Sequence, residues 1–152
     1  MTDGLKKAWA EMVQPLLRRP PRFQVAAVCY RDNAKGREVL LITSRDTGRW
    51  IVPKGWPIEG MKSPEAAVQE AWEEAGVTPV TKRVSPIGTF AYDKRLGGGY
   101  DAPVEAQVYK VKVERLSDDY PEVKQRRRAW FKPDEAANLV DEPELKEILR
   151  HI

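Results

Sequence analysis

Residues 53–77 read PKGWPIEGMKSPEAAVQEAWEEAGV, and this stretch decides the fold of the chain. Its second half predicts a helix over Pro64–Ala75, because Ser63 is a good N-cap and proline suits the first helical position. The alanines within this range are strong helix formers. Gly76 follows where a C-terminal glycine ends a helix.

The predicted helix carries a cluster of carboxylates on one side. Glu73 and Glu74 follow Glu70 by three and four residues, a spacing that places the three side chains on one side of a helix. Like charges at this spacing repel and weaken an isolated helix. Carboxylate oxygens are, however, the ligands that Mg²⁺ or Mn²⁺ prefers. The cluster therefore predicts a cation site, and a solvated acidic helix face is the alternative.

The first half of the stretch predicts a tight loop. Residues 54–57 and Gly60 supply the glycine and proline residues that let a chain bend sharply and bring its backbone close to a ligand. A glycine-containing loop that leads into a helix N-terminus beside a cation site is suited to binding phosphates.

The spacing of these residues resembles the Nudix hydrolase signature, G-x5-E-x7-R-E-U-x-E-E-x-G-U, where U is apolar. The matching positions of this box, residues 55–77, are Gly55, Glu70, Ala71, Glu73, Glu74, Gly76 and Val77. The resemblance covers about residues 22–150. It implies an α/β Nudix fold, an α/β/α sandwich with a mixed β-sheet, and a hydrolase that uses Mg²⁺ or Mn²⁺.

Two positions depart from the signature. Met61 stands where the family has its first Glu, and Gln69 stands where it has Arg. Methionine does not ligate Mg²⁺, and an uncharged glutamine orients neighbouring carboxylates less strongly than arginine. Glu59 or Glu65 could supply a missing oxygen. We favour a variant active site over a weakened enzyme, because three clustered carboxylates are costly to keep without a cation.

Composition bounds the class of protein. The 152 residues fit one soluble globular domain, with 41% hydrophobic and 32% charged residues. A net charge of +3 argues against a general polyelectrolyte binder. The single cysteine, Cys29, cannot form an internal disulfide. Without an 18-residue apolar stretch or a signal-peptide pattern, we expect no membrane partner and a cytoplasmic location.

The rest of the chain supplies the expected scaffold. Residues 1–21 predict an amphipathic helix and a Pro/Arg linker, and residues 22–152 are expected to form the Nudix domain. Alternating and apolar runs predict strands at 24–30, 38–44, 50–52, 87–92 and 104–113. A mobile loop is expected at 93–100, and helices at 132–140 and 142–152.

Basic residues near the box are candidates for substrate binding. The string SRDTGRWIVPKGWP, residues 44–57, resembles the diphosphoinositol polyphosphate phosphohydrolase branch of the family and its bacterial relatives. That resemblance implies phosphate contacts from Arg45, Arg49, Lys54 and Gly55. A solvated turn is an equally supported reading of the two arginines.

Further candidates lie downstream of the box. Lys94 and Arg95 open the predicted loop, and Arg128 leads into the closing strand. Glu105 is a candidate base or metal ligand outside the box, by resemblance to other family members. The alternatives are a hairpin loop with solubilising charges and a solvent-facing strand carboxylate.

The resulting functional hypothesis is a hydrolase that cleaves a pyrophosphate bond. Its substrate would be a phosphorylated small molecule: a nucleoside diphosphate derivative, a dinucleoside polyphosphate or an inositol pyrophosphate. The box glutamates would hold the divalent ion, and one of them or Glu105 would take the proton from water. The resemblance also implies a homodimer as a common assembly.

The alternative is a catalytically weakened Nudix domain that binds or senses a nucleotide or polyphosphate. RNA binding through the basic run at 124–128 ranks low, because interleaved aromatic residues are missing.

Overall fold

The computed structural model describes residues 22–78, 84–96 and 100–152. The helix predicted for residues 1–21 lies outside these ranges. The described elements, in chain order, are β1 (Arg22–Asn33), β2 (Gly36–Thr43), β3 (Trp50–Ile51), β4 (Lys54–Gly55), α1 (Ser63–Ala75), β5 (Val77–Thr78), β6 (Ser85–Leu96), β7 (Tyr100–Lys112), β8 (Arg115–Leu116), β9 (Arg128–Phe131), α2 (Pro133–Leu139) and α3 (Pro143–Arg150). Within these ranges, no helix combines the length and the apolar composition that crossing a membrane requires.

Most of the described strands form one mixed sheet. Its main order is β3-β2-β1-β7-β6, while β4 pairs with β1 and β9 pairs with β2. The central pair, β1 and β7, is parallel, and the other pairs are antiparallel. Strands β5 and β8 form a separate two-stranded ribbon after α1.

Strand β1 shows why the sheet is covered on both faces. Ala26 and Val28 pack in the core that α2 and α3 complete, whereas Ala27 and Cys29 pack in the core that α1 completes. Successive side chains of a strand point to opposite faces, so a strand buried on both sides reads as a continuous apolar run. This arrangement confirms the predicted α/β/α sandwich with a mixed sheet.

The box helix begins one residue earlier than predicted. Lys62 is the N-cap and Ser63 is already helical. The Glu65 carboxylate accepts a hydrogen bond from the Lys62 backbone N–H at 3.4 Å, so the acidic residue at the third helical position satisfies the N-cap donor although the expected serine is not the cap. The predicted end is confirmed, since Gly76 is the C-cap with a left-handed φ of +72°.

The prediction that a loop begins at residue 93 is wrong. Strand β6 continues through Leu96, and Lys94 and Arg95 pair with Ala102 and Asp101 of β7. The hairpin is longer than the hydrophobic pattern suggests, because charged side chains occupy a sheet segment that solvent can reach. The two basic residues therefore project from a strand. Residues 97–99 lie outside the described ranges.

Candidate active site

A cleft of about 770 Å³ lies beside α1, where β4 and its following loop meet the end of β6 and the segment before β9. It brings together the β2–β3 loop, the box and the hairpin, which are far apart in sequence. The lining side chains include Arg45, Arg49, Lys54, Trp56, Glu70, Glu74, Tyr92, Lys94, Arg95, Glu122, Gln125 and Arg126. The cleft is therefore strongly polar: six cationic side chains line it together with the carboxylates of Asp46, Glu70, Glu74, Asp93 and Glu122.

Gly55 and Glu70 fix one side of the cleft. A β-carbon built at Gly55 would lie 2.7 Å from Oε2 of Glu70 and closer still to Oε1 and Cδ. The carboxylate thus occupies the space that any other residue at position 55 would need. The sequence signature requires glycine at this position, and the packing explains the requirement.

Glu74 is the most deeply placed carboxylate of the box, with a side chain that is 3% exposed. Its Oε2 accepts a hydrogen bond from the Lys54 backbone N–H at 3.2 Å. Its Oε1 lies 3.1 Å from Nη2 of Arg126. Strand β4 and the segment before β9 therefore hold this carboxylate from two directions.

Glu70 and Glu74 form a coupled pair, four residues apart on α1. Burial raises the pKa of Glu74 to about 8 against the opposing effect of Arg126, and the hydrogen bond and repulsion from Glu70 add to this rise. Burial also raises the pKa of Glu70, with repulsion from Glu73 contributing. A buried carboxylate and a half-buried one that share a hydrogen bond favour holding one proton between them. A divalent ion would replace that proton.

The third box carboxylate, Glu73, is not brought to the cleft. Its Oε1 accepts a hydrogen bond from Nε2 of Gln69 at 3.1 Å, and it does not line the cavity. The described part of the chain holds no group of three or more Asp, Glu, His or Cys side chains arranged to ligate a metal. Glu122, which was not singled out from the sequence, lines the cleft with Glu70 and Glu74, as do Asp46 and Asp93.

The donor set nevertheless fits a hard divalent cation. Glu70 and Glu74 present paired carboxylates to a polar cleft, and the glycine at position 55 leaves backbone beside them. The suggested substitutes do not take part. Glu59 is exposed outside the cleft, and Glu65 is used in the helix cap. Met61 is 41% exposed and also lies outside the cleft.

The cations predicted to bind substrate mostly line the cleft. Lys54 and Lys94 lie near aromatic rings, with Nζ of each 5.2 Å from the ring centroid of Tyr92 and Trp56, respectively. Burial lowers the pKa of Lys54 to about 8, against the opposing effects of Glu74 and Glu142.

The two arginines of the β2–β3 loop are also in the cleft, and both have partners. Arg45 donates to Gln125 at 3.2 Å and lies 3.7 Å from Glu122. Arg49 donates to Glu142 at 3.0 Å. Both guanidinium groups are therefore held by residues from the C-terminal part of the chain.

Arg128 is not brought to the cleft. Its Nη1 donates at 2.8 Å both to the Ala75 carbonyl at the end of α1 and to the Ser117 carbonyl. Arg126, two residues earlier, reaches the cleft instead and lies 3.3 Å from Glu122 as well as beside Glu74. The basic run at 124–128 predicts that a cation reaches the cleft. Which residue of the run does so depends on where β9 begins.

Glu105 also lies away from the cleft. It sits on β7 opposite Phe23 of β1 and Ala91 of β6, and its side chain is half-buried. It does not line the cavity that holds Glu70 and Glu74. Its role as a base or a ligand stays a prediction.

Comparisons with known proteins identify the family of this chain. The NUDIX domain family model matches residues 22–152. Human diphosphoinositol polyphosphate phosphohydrolase 3-alpha is 32% identical over 123 residues, covering 77% of this chain and 68% of the relative. Mouse diphosphoinositol polyphosphate phosphohydrolase 2 is 31% identical over 123 residues, covering 77% of this chain and 62% of the relative.

Solved structures share the fold at lower identity. A C. elegans Ap4A hydrolase superimposes with a TM-score of 0.58 at 22% identity, covering 86% of this chain and 95% of its own. The NUDIX domain of Shewanella oneidensis NrtR, solved with ADP ribose, gives 0.65 at 16% identity and covers 99% of this chain and 98% of its own. The family match and the cleft together show that the chain belongs to the Nudix family, as a pyrophosphohydrolase that acts on phosphoanhydride bonds.

Proposed function

We propose that the chain is a divalent-metal-dependent hydrolase whose substrate is a small molecule with several phosphates, an inositol pyrophosphate or a dinucleoside polyphosphate. The observation that carries this proposal is the Glu70–Glu74 pair in a cleft that six cationic side chains also line. The names of the relatives, diphosphoinositol polyphosphate phosphohydrolases and an Ap4A hydrolase, support the same two classes.

Cationic side chains of the cleft that form no ion pair within the described ranges favour a substrate with several negative charges. Arg45, Arg49 and Arg126 each lie within 4 Å of a carboxylate. Across the described ranges, Lys54, Lys94 and Arg95 form no such ion pair. These cations are free to bind phosphate groups, and a low-dielectric cleft strengthens that attraction.

Different residues of the cleft have different proposed roles in the reaction. A divalent ion, when bound, would polarise the phosphoryl oxygens and lower the pKa of water. Glu70 and Glu74 would hold it, and Arg126 orients the Glu74 carboxylate. Lysine and arginine side chains would neutralise charge on the leaving phosphate. Proton acceptance from water is assigned to one of the box glutamates.

One set of contacts supports the enzyme over the alternative of a weakened binding module. That alternative rests on Met61 and Gln69 in place of the box glutamate and arginine, and the contacts concern Gln69. Gln69 contacts Glu73, whereas the carboxylate in the cleft, Glu74, has its own arginine partner in Arg126. The glutamine at position 69 therefore does not deprive Glu74 of a cationic partner, because Arg126 supplies one.

Phosphate release tests the proposal directly. Wild-type protein with Mg²⁺ or Mn²⁺ is assayed against inositol pyrophosphates, dinucleoside polyphosphates and nucleotide sugars. We expect turnover of one of the first two classes, and a loss of at least about 100-fold in Glu74→Gln, exceeding the effect of losing an outer-shell partner. Glu59→Gln is the matched control, because that carboxylate is exposed outside the cleft, and its activity is expected within about twofold of wild type.

A second readout separates catalysis from binding. Mg²⁺ is expected to raise the melting temperature of wild type and not that of Glu74→Gln. Near-wild-type turnover in Glu74→Gln would remove the Glu70–Glu74 pair from the mechanism. Tight binding of a polyphosphate by wild type without any phosphate release would favour the binding module.

A further inference from the structure

The ion pair between Arg49 and Glu142 joins the C-terminal helix to the cleft. Nη2 of Arg49 donates to Oε1 of Glu142 at 3.0 Å, and Nη1 lies 3.5 Å from Oδ2 of Asp141. Arg49 belongs to the β2–β3 loop and lines the cleft. Glu142 is the N-cap of α3 and is 6% exposed. One contact thus connects two segments that are 93 residues apart in sequence.

This pair is poorly arranged for stability. Nη1 of Arg49 and Oε2 of Glu142 are both buried, and neither has a hydrogen-bond partner among the described residues. A buried ion pair repays its desolvation only when its remaining polar atoms are also satisfied. Two buried polar atoms without partners reduce what the pair contributes to folding stability, whereas the contact still acts on the arginine side chain.

The pair does restrict where the guanidinium can lie. The backbone of the loop is closed by hydrogen bonds between Ser44 and Arg49, at 2.8 Å from the Ser44 N–H to the Arg49 carbonyl and 3.2 Å from the Arg49 N–H to the Ser44 hydroxyl. This fixes the start of the side chain but leaves its rotatable bonds free. The bond to Glu142 fixes the other end, so the planar donor group is held in one orientation.

We propose that Glu142 is a positioning residue that holds Arg49 in the cleft, so that Arg49 binds a phosphate group of the substrate remote from the bond that breaks. The proposal rests on the proposed function, because it takes the substrate to be a polyphosphate. Glu142 does not line the cleft and acts through Arg49. A preorganised guanidinium loses less conformational freedom when it binds phosphate, which strengthens binding.

Glu142 also has an electrostatic effect that opposes positioning. A carboxylate beside Arg49 neutralises part of its charge and, by itself, would weaken phosphate binding. If neutralisation outweighs positioning, removing the carboxylate tightens binding. Whether phosphate affinity falls or rises when the Glu142 carboxylate is removed therefore distinguishes positioning from charge neutralisation.

The experiment compares Glu142→Gln with Asp141→Asn. Both remove one negative charge near Arg49 and keep the side-chain size, but the Asp141 carboxylate is 74% exposed and makes no hydrogen bond to Arg49. Binding of inorganic tripolyphosphate is measured by calorimetry, and KM and kcat are measured on whichever substrate wild type hydrolyses. Melting temperatures report whether each variant is folded.

For Glu142→Gln we expect a rise of about tenfold in both the tripolyphosphate Kd and KM, with kcat within about twofold. Asp141→Asn is expected to stay within about twofold in all three. Arg49→Gln should weaken binding similarly, and the double variant should be no weaker than Arg49→Gln alone, because Glu142 acts through that side chain.

Unchanged or tighter tripolyphosphate binding in Glu142→Gln overturns the proposal, and so does a double variant whose losses add. These outcomes leave the proposed function intact if wild type still hydrolyses its substrate. A wild-type protein that neither binds tripolyphosphate nor releases phosphate overturns the proposed function, and this inference with it.

Discussion

The carboxylate of Glu70 packs directly against the α-carbon of Gly55, within the space a β-carbon would occupy. Strand β4 and helix α1 are thereby interlocked at the cleft. The position of a candidate metal ligand depends on the absence of a side chain 15 residues earlier in the chain.

Replacing Gly55 by alanine should therefore impair catalysis more than folding. Its φ is not in the left-handed region, so alanine suits the backbone and the effect is steric displacement of Glu70. We expect a fall in kcat/KM of about 100-fold, since ligand misplacement of an ångström has effects of that order. Steady-state phosphate release and the melting temperature are the measurements.

Gly60→Asn is the control for this variant. Gly60 has open space around it and a φ of +81°, which asparagine tolerates. Its activity should remain within about twofold of wild type. Equal losses in the two variants would mean that the loop is sensitive to any side chain, and the specific contact with Glu70 would lose its support.

Arg128→Ala should affect stability more than activity. The substitution removes two hydrogen bonds from a charged donor to the carbonyls of Ala75, at the end of α1, and Ser117, directly after β8. We expect a decrease of about 2 kcal/mol in the free energy of unfolding, measured by urea denaturation. A large rise in KM with unchanged stability would instead support the substrate-binding role predicted from the sequence.

Arg126→Gln should affect the site itself. Arg126 is 9% exposed and contacts Glu74, Glu122 and the Thr43 carbonyl, so its loss leaves Glu74 without its cation. We expect Mn²⁺ affinity and kcat to fall about 10- to 100-fold, as is typical when a partner of a metal ligand is removed. Arg127→Gln is the matched control, because the Arg127 side chain is exposed and makes none of these three contacts. Similar losses in both variants would point to a general charge effect.

Cys29 should be inert in the folded protein. Burial raises its pKa to about 12, with a smaller contribution from Glu74. The thiolate is the reactive form, so a disulfide reagent at pH 8 should label Cys29 at the rate of unfolding. Because the folded pKa lies above the ordinary value of 9.0, this group's contribution to stability is complete below pH 9 and is lost as pH rises towards 12. Labelling as fast as that of a free thiol would contradict its burial.

Local patterns in the sequence are enough to predict much of this protein. The alanine-rich run and Gly76 predict the box helix, because helix propensity and a left-handed cap act within a few residues. The continuous apolar run of β1 predicts a strand covered on both faces. Gly55 and the spacing of Glu70 and Glu74 predict the carboxylate side of the cleft.

Tertiary structure determines which charged side chains reach the cleft. Glu73 and Glu74 are adjacent in sequence, yet one is turned to Gln69 and the other is buried beside Lys54 and Arg126. Successive residues of a helix point about 100° apart, so the difference depends on what packs against each direction.

The same holds for the basic residues. The run at 124–128 predicts positive charge, but the position of β9 against β2 determines that Arg126 faces Glu74 while Arg128 caps α1. The hold of Glu142 on Arg49 likewise joins distant segments. A sequence pattern records the direction of a side chain relative to its own backbone, and the identity of its partner is fixed when the sheet and helices pack together.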